Sequence, residues 1–111
     1  MRPLQYVVLR HENIPEPHFD LMIEPSAGAA LWTWRCPTWP PVRADVLIRL
    51  ADHRNLYLQF EGEIAGDRGR VDRVFSAETA VQLSDDLVAI DGIGNEPLRL
   101  QHEVGDRWIV D

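Results

Sequence analysis

His18-Phe19-Asp20-Leu21-Met22-Ile23-Glu24 alternates with a period of two. Phe19, Leu21 and Ile23 form one apolar face, and His18, Asp20, Met22 and Glu24 form the other. A period of two is that of a β-strand, whose successive side chains leave opposite faces. The apolar set belongs in a core, and the second set reads as the wall of a polar groove. Outward from this stretch, short runs rich in Val, Ile, Leu, Tyr, Phe and Trp alternate with turn residues, the pattern of an all-β domain. We expect strands over residues 4–11, 18–24, 29–35, 46–50, 57–64, 70–76, 79–83, 87–91, 97–103 and 108–110. Pro25-Ser26-Ala27-Gly28, Gly66-Asp67-Arg68-Gly69, Ser84-Asp85-Asp86 and Gly92-Ile93-Gly94-Asn95 signal turns. Residues 44–51 read equally well as a short helix. Cys36-Pro37-Thr38-Trp39-Pro40-Pro41 cannot be a central strand, because its prolines lack the ladder donor. So many short strands in a small chain favour a closed or nearly closed β-barrel with little helix.

A chain of 111 residues is expected to form a single domain, residues 1–111, with one core. All 11 basic residues are arginine, and the net charge is −7. An acidic protein gains no general electrostatic help in approaching nucleic acid, so any phosphate recognition must be local. The single Cys36 excludes an internal disulfide and a multi-cysteine zinc site, and reads as a small semi-buried residue. With no charged-then-apolar leader and no long apolar run, a cytoplasmic location is the expectation.

Two of the four histidines, His11 and His18, lie within ten residues of each other and of Asp20. His18 and Asp20 are two apart and share a strand face. Two imidazoles and one carboxylate on one side of a metal leave coordination positions open for water or substrate. The same residues also read as surface histidines flanking a proline-containing turn. A His-x-Asp pair completed by a distant histidine, here His53 or His102, would instead match the facial triad of iron oxygenases. A chain this short leaves little room for that double-layered barrel and its cosubstrate pocket.

Asp52-His53-Arg54-Asn55-Leu56-Tyr57 could bring a proton donor and positive charge to a phosphate, or be a plain polar turn. Gly66-Asp67-Arg68-Gly69-Arg70 is a glycine-flanked turn with two arginines, and reads equally as a hairpin tip. Trp32 and Trp34 share a strand face and belong in the core, whereas Trp39 in the proline loop suits a lid or a stacking platform. His102 has no partner in sequence and reads as structural.

Taken in order, four blocks resemble the 3′-phosphoesterase domain attached to bacterial DNA ligase D, which also occurs alone. The blocks are His11…His18-Phe-Asp-Leu-Met-Ile-Glu24, Thr33-Trp-Arg-Cys-Pro37, Ala51-Asp-His-Arg-Asn-Leu-Tyr57 and Phe60-Glu-Gly-Glu-Ile64. They are similar to that family's His-Tyr-Asp-Leu-Arg-Leu-Glu, Ser-Trp-Ala-Val-Pro-Lys-Gly, Glu-Asp-His-Pro-Leu-x-Tyr and Phe-Glu-Gly-x-Ile-Pro segments. The resemblance implies a small β-barrel with its active site in a groove on one side. It implies a manganese-type divalent ion on His11, His18 and Asp20, with His53 and Tyr57 as the catalytic groups at the scissile phosphate. The implied activity is removal of 3′-phosphates or 3′-ribonucleosides from nucleic acid ends in DNA repair, with a DNA ligase or repair complex as partner.

This chain departs from the family pattern where the phosphate is held. The arginine of the Asp-Leu-Arg segment is Met22, and the lysine of the Pro-Lys-Gly segment is Thr38. Arg10, Arg54 and Arg68 are the expected phosphate-binding replacements. Without replacement, the expectation becomes a catalytically weak module that binds metal or nucleic acid ends.

Overall fold

Tyr6, Val7, Val8 and Leu9 are all buried, so β1 (Arg2–Glu12) is covered on both faces of its sheet. The computed structural model describes residues 2–111, which form nine strands and one 3-10 turn. After β1 come β2 (His18–Ile23), β3 (Leu31–Cys36), β4 (Val46–His53), β5 (Gly62–Glu63), β6 (Arg70–Leu83), β7 (Leu87–Ile90), β8 (Leu98–Val104) and β9 (Arg107–Val110). All pairings are antiparallel, in the order β1-β2-β3-β4-β9-β8-β7-β6, and β6 pairs back onto β1. Eight strands therefore close an all-β barrel, and β5 lies outside it as an extra strand on β6.

One face of the strands fills the barrel. Tyr6, Val8, Leu21, Ile23, Trp34, Cys36, Leu47, Trp108 and their neighbours form a single buried cluster. Trp34 is fully buried and meets Trp108 edge-on, with ring centroids 5.4 Å apart. An eight-stranded barrel is just wide enough for side chains to fill it. Burial pushes the Cys36 thiol up to about 12, so it is inert packing. Trp39 packs against the same cluster and lies 6.4 Å from the Phe75 ring. It is part of the packing of the barrel rather than a free platform.

A second apolar cluster lies on the outer face: Val7, Leu9, Met22, Leu31 and Val71, with Tyr57, Leu58, Phe60 and Ile64 packed against it. These four come from the connection between β4 and β6. The strand expected over 57–64 is corrected here. The segment forms a 3-10 turn, Asn55–Leu58, and only Gly62–Glu63 joins the sheet. Three of its apolar side chains, Tyr57, Leu58 and Phe60, turn toward one surface, which alternation along an extended strand does not allow. Asn55 anchors the turn by donating from Nδ2 to Glu24 Oε2 and to Ala29 O, both at 2.7 Å.

Two other strand boundaries differ from expectation. Residues 70–76 and 79–83 form one continuous strand, β6, because Ser76-Ala77-Glu78 contains no glycine or proline to break it. It carries a bulge at Val74, where the register against β1 shifts between Val8 and Leu9. The undecided segment 44–51 contributes β4, starting at Val46. No helix among the described residues is long and apolar enough to cross a membrane.

Candidate metal centre

His11 and His18 face each other directly in the β1–β2 ladder, and Asp20 stands opposite Leu9 one pair further along the same face. The two imidazoles meet edge to face, with centroids 5.1 Å apart. One ligand atom from each of His11, His18 and Asp20 lies within 4.8 Å of the others. The site is therefore on the outer wall of the barrel, at the end of the apolar outer cluster. It is not an open polar groove along its whole length. Met22, on the same strand face, is only 1% exposed and belongs to the apolar cluster.

Each imidazole is pinned by a backbone carbonyl. His18 Nδ1 donates to Glu16 O at 2.8 Å, and His11 Nε2 donates to Arg68 O at 2.8 Å. A carbonyl only accepts, so in the neutral ring the proton sits on the pinned nitrogen and the other nitrogen keeps its lone pair. That bare nitrogen is Nε2 in His18, 3.2 Å from Asp20 Oδ1, and Nδ1 in His11, 3.7 Å from Asp20 Oδ2. Carbonyl-pinned histidines whose free nitrogens converge beside a carboxylate are the usual outer shell of a metal site.

The fit to a cation is supported by what the ligand atoms lack. His18 Nε2 and Asp20 Oδ1 are shut off from solvent and have no hydrogen-bond partner among the described residues. Unpaired buried polar atoms are costly, and two acceptors face to face need a proton or a metal ion between them. Neighbouring ligands on an octahedral divalent ion stand about 3 Å apart, close to the His18–Asp20 separation of 3.2 Å. With no ion, a proton can take that place. Contact with Asp20 raises the His18 pKa above its ordinary value; burial works against this, and the Glu16 carbonyl adds to the rise.

The turn expected to carry arginines toward phosphate contributes mainly its backbone. Gly69 has φ +85°, and a Cβ there would collide with Glu12 O and come within 2.7 Å of Ile14 Cγ2. Only glycine allows this close approach, which brings Arg68 O against His11. The Arg68 guanidinium folds back, its Nε donating to Ala65 O at 2.8 Å. Arg10 leaves the opposite face of β1 from His11, pairs with Glu12 and lies over the Phe19 ring, 5.2 Å from its centroid. Arg54 is exposed at the start of the 3-10 turn.

His53 and Tyr57 come together, with ring centroids 5.8 Å apart, and His53 Nδ1 donates to Ala51 O at 2.9 Å. They stand apart from the three ligands. His53 is opposite Leu31, whereas Arg35 on the same strand is opposite Asp20, an offset of roughly 13 Å along the strand. Tyr57 packs on the outer apolar cluster that includes Leu9 and Met22. His102 is structural, donating from Nε2 to Gly105 O at 2.8 Å and packing at a tilt against Trp108.

Arg35 was missed by motif reading. It is exposed and leaves the outer face of β3 directly beside Asp20. The signal was available in Trp34-Arg35-Cys36, where two core residues flank one that must point outward.

No protein-family model matches the sequence, and no curated protein matches it either. Three ligands, only one of them anionic, can hold a divalent ion while leaving coordination positions free.

Proposed function

We propose that the protein is a divalent-metal-dependent phosphoesterase-like enzyme that processes 3′ ends of nucleic acid by removing a 3′-phosphate or a 3′-ribonucleoside. The observation that carries this reading is the pair of buried, unpartnered atoms, His18 Nε2 and Asp20 Oδ1, aimed at each other beside His11. The four-block resemblance to the ligase D 3′-phosphoesterase domain supplies the substrate class and favours manganese as the ion. A bound divalent ion would supply Lewis acidity at a phosphoryl oxygen. His11, His18 and Asp20 would hold it, with Glu16 O and Arg68 O fixing the two rings. The resemblance would give His53 and Tyr57 the proton-donating and phosphate-orienting roles, but their offset of roughly 13 Å along the sheet puts them out of reach of a phosphate bound at these three residues. The proposal keeps the cytoplasmic setting expected from sequence.

The test is incubation with manganese and a primer-template that ends in a 3′-phosphate or a single 3′-ribonucleotide. Product well above that of a His18→Ala control supports the enzyme. Equal product across several divalent metals overturns it for these substrates.

A second reading is a catalytically weak module that binds metal and nucleic acid ends beside a ligase or repair complex. Burial of Met22 in the apolar cluster favours it, since no phosphate-contacting cation occupies that position. Titration of end-labelled DNA at several salt concentrations separates the two. Binding without turnover supports the module, and absence of binding sinks it.

A further inference from the structure

Arg35 and Asp20 are cross-strand neighbours on the outer wall. On Asp20's other side stands Leu9, and beyond Arg35 stands Ile48, 37% exposed. On the Met22 side the ligands adjoin the apolar cluster roofed by Tyr57 and Phe60. On the β3 side they open. A groove of about 200 Å³ is bordered by Glu16, Pro17, His18, Arg35 and Ile48, and a second of about 260 Å³ by Ile14, Pro15, Glu16, His18 and Arg35. His18 and Arg35 are thus walls of both openings.

The Arg35 guanidinium makes no ion pair and no side-chain hydrogen bond among the described residues, although Arg10, Arg49, Arg70, Arg73, Arg99 and Arg107 all pair with carboxylates. Glu16 borders the same grooves without pairing with it. A free cation beside a metal site is unfavourable by itself, because like charges repel. A divalent ion on two neutral histidines and one carboxylate keeps a net positive charge, and Arg35 adds another. The combination is complete only when an anion spans both.

We infer that Arg35 is the anion-contacting residue of this centre, positioning a phosphate monoester or phosphodiester oxygen between its guanidinium and the ion held by His11, His18 and Asp20. The inference rests on the metal reading above. It directs the substrate along the β3–β4 side of the ligands, over Ile48, rather than over Met22. Planar, five-donor guanidinium suits this task better than an ammonium, since it can grip two oxygens at once.

The experiment measures manganese binding first, by electron paramagnetic resonance of the free ion. Inorganic phosphate and a 3′-phosphorylated oligonucleotide are then titrated onto the manganese-loaded protein. The unaltered protein, Arg35→Ala, Arg35→Lys and Arg43→Ala are compared. Arg35→Ala is expected to keep its manganese affinity and to lose phosphate affinity by about tenfold or more, the worth of one charge-assisted hydrogen bond. Arg35→Lys recovers part of the loss, and Arg43→Ala, an exposed charge bordering a different groove, changes neither. Manganese binding with phosphate affinity within twofold (about 0.4 kcal/mol) in Arg35→Ala overturns the assignment of Arg35 alone. Failure of the unaltered protein to bind manganese overturns the metal reading together with it.

Discussion

His18 Nε2 stands 3.2 Å from Asp20 Oδ1, and neither atom reaches solvent. Two acceptors in that position demand a shared positive charge. Metal should therefore act as a stabilising ligand of the folded chain. At a hundredfold excess over its dissociation constant, an ion contributes about 2.7 kcal/mol, a rise in melting temperature of roughly 10 °C. Thermal unfolding with manganese and then with a chelator checks this. Asp20→Ala should abolish the rise, and an unchanged melting curve in the unaltered protein would falsify the metal site.

Without metal, the same pair makes stability depend on pH. The His18 pKa is raised in the folded chain, first by contact with Asp20 and also by the Glu16 carbonyl, against burial and the nearby Arg35 charge. A raised pKa means the imidazolium contributes stability that is fully present below its unfolded value, about 6.5. The contribution is lost as pH rises through the folded value. The melting-temperature difference between the metal-free protein and His18→Gln should shrink from pH 5.5 toward pH 8.5. Metal competes with this proton, so manganese affinity should move the opposite way and weaken as the pH is lowered. A stability difference that grows with pH contradicts the assignment.

Gly69 tests the outer support of the site. Gly69→Ala places a Cβ against Glu12 O and Ile14, at a backbone angle of +85°. We expect a loss of about 1–3 kcal/mol in stability, together with weaker manganese binding as Arg68 O withdraws from His11. Gly28→Ala is the matched control, because its φ is +81° but nothing lies within 4 Å of the added carbon. Calorimetry should find weaker manganese binding in Gly69→Ala only. Equal metal affinity in the two variants would show that the carbonyl contact does not matter.

Met22→Arg introduces the arginine of the ligase D pattern at a position that is buried in this chain. Met22 is 1% exposed among Leu9, Leu31 and Val71. Burying an unpaired guanidinium there is expected to cost about 3 kcal/mol or more, read as a lower urea midpoint. A variant as stable as the parent would mean that the Tyr57–Ile64 segment lifts readily, and that the groove extends over Met22 after all.

The alternation of Phe19, Leu21 and Ile23 was enough to assign a strand and its core face, because side-chain direction along a strand is set by the chain's own geometry. The candidate metal group was legible in part for the same reason: His18 and Asp20 share a face through their spacing. The antiparallel ladder then sets His11 across from His18. The segment 57–64 was misread because its tyrosine, leucine and phenylalanine answer to the outer cluster, a surface made by four other strands. The arginines were the least legible. Arg10, Arg54 and Arg68 are near the ligands or the matched blocks in sequence, yet where a guanidinium points depends on carbonyls, rings and carboxylates brought in from elsewhere. Arg35 lies fifteen residues from Asp20 in sequence and beside it in space, through the β2–β3 register alone. Local periodicity thus determined the core-facing alternation of β2 and put His18 and Asp20, two of the three residues that could hold a metal ion, on one face. Only the pairing of β2 with β3 decided which charge stands next to them, because cross-strand register is what turns a list of arginines into one that faces the site.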